Sequence, residues 1–165
     1  MMNIVRYPDK VLRLKAKAIE KITDEIFNLA EAMIDTMLKN DGIGLAANQV
    51  GVLKRLFIIN LKPYEENPEP LVVINPQIIR QEELVEDEEG CLSFPGLFLN
   101  IPRYKRLILH YQNLYNEKIV IEVDGIIARA IQHENDHLNG MLFIDHVTEK
   151  DREKVAQYLL NLQSK

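Results

Sequence analysis

Three stretches of the chain space their apolar residues as an α-helix does. The first covers residues 23–42, where a threonine and two acids precede apolar residues three and four apart, a pattern typical of a capped amphipathic helix. The second runs from 124 to 140. Its Asp124-Gly125 start could also form a hairpin turn, but the spacing that follows favours a helix. The third, residues 148–161, opens with a variant of the capping box.

Between the first two helices, short runs of β-branched and aliphatic residues predict strands. They cover residues 56–59, 72–74, 78–85, 107–111 and 119–123. Six of the seven prolines fall in this region, and we expect them to keep the strands short; they are Pro63, Pro68, Pro70, Pro76, Pro95 and Pro102. The order helix, strands, helix, helix favours an α+β fold with antiparallel strands over a parallel βαβ sheet.

Composition and charge narrow the class of protein. A chain of 165 residues, with 47% hydrophobic and 27% charged residues, is expected to form one globular domain over residues 1–165. Its net charge of −5 argues against wrapping nucleic acid as a primary role. The single cysteine, Cys91, cannot form an internal disulfide and suits a reducing compartment. The N-terminus lacks the apolar core of a signal peptide and no apolar run approaches ~20 residues, so we expect a cytoplasmic protein.

The strongest chemical signal is a pair of histidines four residues apart on the second predicted helix. His133 and His137 share a helix face and can reach one metal, and Glu134 can act as a base toward a metal-bound water. The usual third ligands of metal proteases are missing. The extended type needs a histidine where this chain has Phe143, and the thermolysin-like type needs a glutamate near Gln157.

Cys91 can supply the third ligand. A thiol with two imidazoles leaves a position open for water, as a catalytic metal requires, whereas a structural zinc site normally has four protein ligands. Gly90 allows close backbone approach, and the backbone N–H of Leu92 would lie beside the metal, where it could donate to a developing oxyanion. An inert cysteine with two histidines at chance spacing is the competing interpretation.

The segment after the first helix is built from small residues. Residues 42–49 contain two glycines and two alanines and end in Gln49, which suggests close backbone approach and a side-chain amide donor. A phosphate-binding loop is the alternative. The segment lacks both the P-loop lysine and the third glycine of a dinucleotide fingerprint.

Taken together, the three segments resemble peptide deformylase. They read Gly42-Ile43-Gly44-Leu45-Ala46-Ala47-Asn48-Gln49, Glu89-Gly90-Cys91-Leu92-Ser93 and Gln132-His133-Glu134-Asn135-Asp136-His137. The similarity extends to Pro8 with Leu12 near the start and to residues 101–103, so it covers nearly the whole chain. One departure is Phe98, which stands where some relatives carry an arginine.

The resemblance implies a fold and a reaction. The fold would be short antiparallel β-sheets around a central helix that carries the histidine motif, with an N-terminal and a C-terminal helix. The substrate would be an N-formylmethionyl peptide, cleaved to formate and a free amine. The metal would be Fe²⁺ in the cell, with Zn²⁺, Ni²⁺ or Co²⁺ able to substitute.

The resemblance also implies roles for individual residues. Cys91, His133 and His137 would hold the metal, Glu134 would move the proton, and Gln49 with the Leu92 N–H would stabilise the oxyanion. The methionine side chain would enter an apolar pocket bordered by His133 together with Ile43, Gly44, Ile126 and Ala130. A pair between Glu89 and Arg103 would brace the cysteine turn, although Arg103 could equally be a surface charge.

Other features have ordinary interpretations. Six of the eight residues at 82–89 are acidic, which is typical of a solvated strand face, although their field could favour a nearby cation. Asp136 could orient a ligand or face solvent. His110 and His146 are interpreted as ordinary strand and loop residues.

Alternative functions remain open on sequence alone. A redox sensor built on Cys91 would need neither Glu134 nor Gln49. A ribosome-binding module could act through the C-terminal helix, but residues 149–165 carry four basic and three acidic side chains, a weak anchor for RNA. Ribosome docking could instead accompany catalysis. We expect no sequence-specific contact with nucleic acid and no contact with a membrane.

Overall fold

The computed structural model describes residues 2–62, 66 and 69–164. Its α-helices are α1 (Asp24–Lys39), α2 (Gly125–Leu138) and α3 (Arg152–Gln163). Its strands are β1 (Gly44–Ala46), β2 (Leu56–Ile59), β3 (Leu71–Cys91), β4 (Phe94–Gln112) and β5 (Lys118–Asp124). Short 3-10 helices cover Lys10–Arg13, Ala47–Val50, Phe143–His146 and Glu149–Asp151.

The strands form one antiparallel sheet in the order β1-β2-β3-β4-β5. The predicted α+β class is therefore confirmed, but the expectation that prolines keep the strands short is wrong for β3, with 21 residues, and β4, with 19. Pro76 falls at a register irregularity of the β3–β4 pairing. Pro102 lies where β4 has only β3 as a partner, because pairing with β5 begins at Arg106. Both are positions where a missing N–H is tolerated. Pro63 and Pro68 lie outside the described residues.

The predicted helices are present with adjusted ends. α1 begins directly after Thr23. Asp124 precedes α2 in extended conformation, so the helix interpretation is confirmed over the hairpin turn. The third helix begins later than expected, since Glu149–Asp151 forms a 3-10 turn and α3 starts at Arg152. None of the helices within the described ranges is long and apolar enough to cross a membrane.

Helix α2 is buried in an unusual way. Its inward face carries apolar residues such as Ile131 and Leu138, as a core helix should, but also four polar side chains that are at most 7% exposed. These four are Gln132, His133, Glu134 and His137. The helix packs against β1, β2, β4 and β5. Burying so many polar groups costs free energy unless they are hydrogen-bonded or bind a ligand. This face of α2 is therefore the candidate functional surface.

Candidate active site

Two helical histidines and one thiol meet at the end of β3. His133 and His137 lie one turn apart on α2, and Cys91 is the last residue of β3. One donor atom from each residue lies within 4.8 Å of the others, and Cys91 Sγ is 3.5 Å from His137 Nε2. Two imidazoles and a thiol at this separation fit a divalent transition metal, with coordination positions left open.

The outer nitrogen of His133 is held by a buried carboxylate. Its Nδ1 lies 2.8 Å from Glu89 Oε1, and Arg103 binds the same carboxylate through Nε at 2.8 Å and Nη2 at 3.1 Å. Burial would raise the pKa of Glu89, but the hydrogen bonds from His133 and Arg103 outweigh it and lower that pKa to about 2. The carboxylate is therefore ionised and accepts the His133 Nδ1–H. That tautomer leaves Nε2 free to bind a metal.

The two histidines differ in their electrostatic environment. Burial lowers the pKa of His137 well below its usual value, which keeps the ring neutral as a ligand must be. His133 is also buried, yet the negative charges of Glu134 and Cys91 raise its pKa well above the usual value. A site that raises the pKa of a buried imidazole is a negative environment, and such an environment favours a bound cation.

Glu134 is the buried acid of the site. Its Oε1 is fully buried and has no hydrogen-bond partner within the described residues. Burial raises its pKa to about 7, the range in which a carboxyl group can both accept and release a proton near neutral pH. Gly44 is packed against it, because a Cβ on that glycine would lie 2.7 Å from Glu134 Oε2.

Gln49 joins the small-residue segment to the thiol. Its Oε1 accepts a hydrogen bond from the Ala46 N–H at 3.0 Å. That contact directs the Nε2 toward Cys91 Sγ, at 3.6 Å, and Ser93 Oγ, at 3.0 Å. Ser93 in turn donates to the carbonyl of Val5 at 2.7 Å. The side-chain amide is therefore oriented by contacts on both sides and lies beside the ligand cluster.

Leu92 is the first residue of the two-residue turn between β3 and β4. Its side chain faces the small-residue segment, where a Cβ on Gly42 would come within 2.8 Å of Leu92 Cδ1. The turn and that segment thus approach each other with no room for a larger residue at Gly42. The use of the Leu92 N–H as an oxyanion donor stays a prediction.

A pocket of about 1020 Å³ opens beside the ligand cluster. All the predicted substrate-binding residues line it, namely Ile43, Gly44, Ile126, Ala130 and His133. Ile43 and Ile126 remain 43% and 39% exposed, so apolar side chains face the opening. Phe98 lines it as well, and its ring covers Gly90, where a Cβ would lie 2.8 Å from the ring edge.

Sequence reasoning missed two contributors to the site. Arg129 donates to Glu89 Oε2 at 2.8 Å and to the carbonyls of Ile101 and Val85 at 2.7 and 2.8 Å. Its position four residues before His133, on the same helix face, was the available signal. Ser93 belonged to a quoted motif, but nothing in the sequence indicated its contact with Gln49.

Two polar residues differ from their ordinary interpretation. Asp136 does not simply face solvent, because its Oδ2 accepts from Arg103 Nη1 at 2.6 Å and lies 2.8 Å from His146 Nε2. His146 is therefore not an isolated loop residue. His110 is exposed on β4, as expected for a strand residue.

The acidic run at 82–89 is largely a solvated strand face. Its members are exposed except Glu89, which is 7% exposed. Glu82 and Glu83 pair across the sheet with Arg106 and Lys105. The run is thus mainly a surface feature. Glu89 alone among its acids is buried in the site, while Asp87 and Glu88 line the pocket.

The sequence model of the polypeptide deformylase family matches residues 1–153. The chain belongs to that family. The deformylase from Thermodesulfovibrio yellowstonii is 44% identical over 153 residues, which is 93% of each chain. The solved structure from Thermotoga maritima has a TM-score of 0.85 and 43% identity, covering 90% of this chain and 98% of that one. A mutant of peptide deformylase 1B from Arabidopsis thaliana gives a TM-score of 0.93 at 36% identity, over 99% and 90%.

The reaction follows from membership of the peptide deformylase family. The enzyme is a metal-dependent hydrolase that removes the formyl group from the N-terminal formylmethionine of nascent polypeptides and releases formate. Cys91, His133 and His137 together form a candidate site for its metal. The metallopeptidase, redox-sensor and phosphate-loop alternatives are set aside by this result.

Proposed function

We propose that deformylation takes place where Glu134 faces the cluster of Cys91, His133 and His137. The observation that carries the proposal is the buried, unpartnered Glu134 Oε1 with its raised pKa beside three metal-ligating side chains. The three ligands would hold the metal, which supplies Lewis-acid polarisation of the formyl carbonyl and of the attacking water.

Glu134 moves the proton in this proposal. Its carboxylate accepts the proton of the attacking water at Oε1 and later transfers it to the leaving amine nitrogen. A pKa of about 7 suits both steps, since the group is neither too weak a base nor too weak an acid. Gly44 keeps the carboxylate close to the ligand cluster because it has no side chain to displace it.

Gln49 and Leu92 stabilise the oxyanion. The Gln49 Nε2–H and the Leu92 backbone N–H are donors on the thiol side of the site, each worth about 3 kcal/mol in comparable acyl-transfer sites. The contact from Ala46 to Gln49 Oε1 holds the amide ready, so little reorganisation is needed as charge develops.

The methionine side chain occupies the apolar part of the pocket. Ile43, Gly44, Ile126 and Ala130 border this part, next to the ring of His133. An unbranched apolar side chain fits such a slot because its burial is favourable and leaves no polar group unpaired.

Formyl-Met peptides are expected to react about 5- to 150-fold faster than acetyl-Met peptides. The acetyl methyl group would have to fit between the Gly42–Gly44 backbone and the turn at Leu92, where no space remains for a Cβ. Overpacking of this kind costs ~1–3 kcal/mol. Competition kinetics for kcat/KM with the two peptides measures the ratio.

Two further peptides serve as controls for that experiment. Norleucine in place of methionine should change kcat/KM little, because both fill an apolar slot, whereas aspartate should reduce it severely. Similar rates for formyl and acetyl peptides, or cleavage at an internal peptide bond, would contradict the proposed site.

The native metal is proposed to be Fe²⁺, with Zn²⁺, Ni²⁺ or Co²⁺ able to replace it. Iron-loaded enzyme is expected to lose activity in air much faster than nickel-loaded enzyme, because the oxidisable thiolate of Cys91 is only partly buried and iron can cycle in oxygen. Activity half-lives in air, with metal content followed in parallel, measure this. Equal decay of both forms would mean that metal redox chemistry does not drive inactivation.

The enzyme is proposed to act in the cytoplasm, near the ribosome. Its only cysteine is free, which suits a reducing compartment, and its substrates are chains that are still being made. Helix α3 presents mostly exposed side chains. The small positive net charge of residues 149–165 supports transient docking rather than tight binding to RNA.

A further inference from the structure

We propose that His146 is a positioning residue for deformylation, acting on the orientation of His133 through Asp136, Arg103 and Glu89. The inference rests on the proposed role of His133 as a metal ligand. It assigns a task to a histidine that neither lines the pocket nor belongs to the three candidate ligands.

A continuous series of charge-assisted hydrogen bonds connects the two histidines. His146 Nε2 lies 2.8 Å from Asp136 Oδ2, and the same oxygen accepts from Arg103 Nη1 at 2.6 Å. Arg103 then holds both oxygens of Glu89, and Glu89 Oε1 holds His133 Nδ1 at 2.8 Å. Every step joins an ion to a donor, the stronger class of hydrogen bond.

The direction of each hydrogen bond follows from the charges. Asp136 Oδ2 forms an ion pair with Arg103 Nη1 at 2.6 Å, and a carboxylate oxygen in such a pair can only accept. His146 therefore donates from Nε2. Removing that donor leaves Arg103 as the remaining partner of Asp136 Oδ2 among the described residues, and frees the carboxylate to rotate toward solvent, since its side chain is 20% exposed.

His146 also belongs to a short helix that contacts His133 directly. It is the last residue of the 3-10 helix Phe143–His146, whose first residue, Phe143, packs its ring edge-on against His133 with centroids 5.6 Å apart. The same short helix thus contacts His133 directly through an aromatic ring and indirectly through the polar series. Two independent contacts from one element fix both the tilt of the imidazole and the position of its carboxylate partner.

Outer partners of metal-ligating histidines matter to function as well as to structure. Replacing such partners commonly changes metal affinity or activity by 10- to 100-fold. His146 lies further out, so the low end of that range is expected.

The test compares His146→Leu, which removes the donor, with His146→Gln, which can still donate to Asp136. His110→Leu is the matched control, because His110 is exposed and takes no part in the series. Nickel-loaded proteins are used for kcat and KM on a formyl-Met peptide and for the rate of Ni²⁺ loss to EDTA. Thermal unfolding of the metal-free proteins is recorded as the structural readout.

His146→Leu is expected to lower kcat and speed Ni²⁺ loss by about 10-fold, with KM within about twofold of wild type because His146 does not itself line the pocket. His146→Gln should keep kcat and the rate of Ni²⁺ loss close to those of wild type. Metal-free His146→Leu should unfold at the temperature of the His110→Leu control. If the leucine variant does not fold, His146→Asn replaces it, since that amide is too short to reach Asp136.

Two results would overturn the inference. One is wild-type kcat and Ni²⁺ loss in the donor-free variant. The other is a defect that glutamine does not restore and that matches a fall in the unfolding temperature of the metal-free protein, which would make His146 a purely structural residue. Failure of wild type itself to release formate or to retain one Ni²⁺ would instead contradict the proposed site, so the two failures are distinguishable.

Discussion

Glu134→Gln is expected to lower kcat on formyl-Met peptides by about 10²- to 10⁴-fold, the usual contribution of a positioned general acid–base group, while the protein keeps its metal. The amide has the shape of the carboxyl group but cannot accept and release the proton. Glu134 is buried beside the ligands without being one of the three donors, so binding of the ion should survive. Single-turnover kinetics and metal analysis on the same preparation measure both quantities.

A matched control separates the loss of the base from a general effect of charge. Glu122→Gln removes an exposed acid of strand β5 that does not line the pocket, and should leave kcat unchanged. Loss of metal in parallel with activity in Glu134→Gln would show that the residue supports the ligands instead of moving the proton.

Arg103→Leu is expected to destabilise the metal-free protein by about 3–5 kcal/mol, the range for breaking a buried ion pair from one side. Arg103 and Glu89 are each 5% exposed in their side chains. Among the described residues, removing the guanidinium leaves Glu89 with Arg129 and His133 as side-chain partners, and it also removes one of two donors to Asp136 Oδ2. Urea unfolding at neutral pH measures the free-energy difference.

Arg106→Leu is the control for Arg103→Leu, because it lies on the same strand and also pairs with glutamates. Its ion pairs join side chains that are 39–50% exposed, so their loss should cost at most about 1 kcal/mol. A similar effect of the two substitutions would mean that the Glu89–Arg103 pair contributes no more than a surface pair.

The elements of this fold could be predicted where one face of a segment is buried. α1 and β2 follow the apolar pattern closely, since each hides a complete face in the core. β3 and β4 could not be predicted at full length. Residues 79–88 of β3 are exposed on both faces up to the buried Glu89, so backbone hydrogen bonds to β4 hold them, and these leave no hydrophobic period in the sequence. The distal part of β4 does alternate, with Leu97, Leu99 and Ile101 buried, but the proline at 102 favoured a short strand instead.

In the site, too, contacts between residues close in sequence could be predicted from spacing, and contacts between residues distant in sequence could not. The histidine pair and Glu134 could be predicted because a helical turn brings residues four apart onto one face. Cys91 could be predicted as the third ligand because the usual third ligands of metal proteases are missing, and the resemblance to a family agrees with this assignment. The structure brings its thiol together with both imidazoles. Arg129 and His146 escaped prediction because their partners, Glu89 and Asp136, are fixed by tertiary packing and not by spacing along the chain.

The two-residue turn between β3 and β4 has a consequence for how the protein folds. β3 and β4 are consecutive in the chain and are joined only by Leu92 and Ser93, so pairing near the turn closes a very small loop and costs little chain entropy. Docking of α2 must instead close a loop from residue 91 to residue 133. Local contacts of low sequence separation favour early formation. The hairpin can therefore present the Cys91 thiol, still uncovered, before the histidines are in position to meet it.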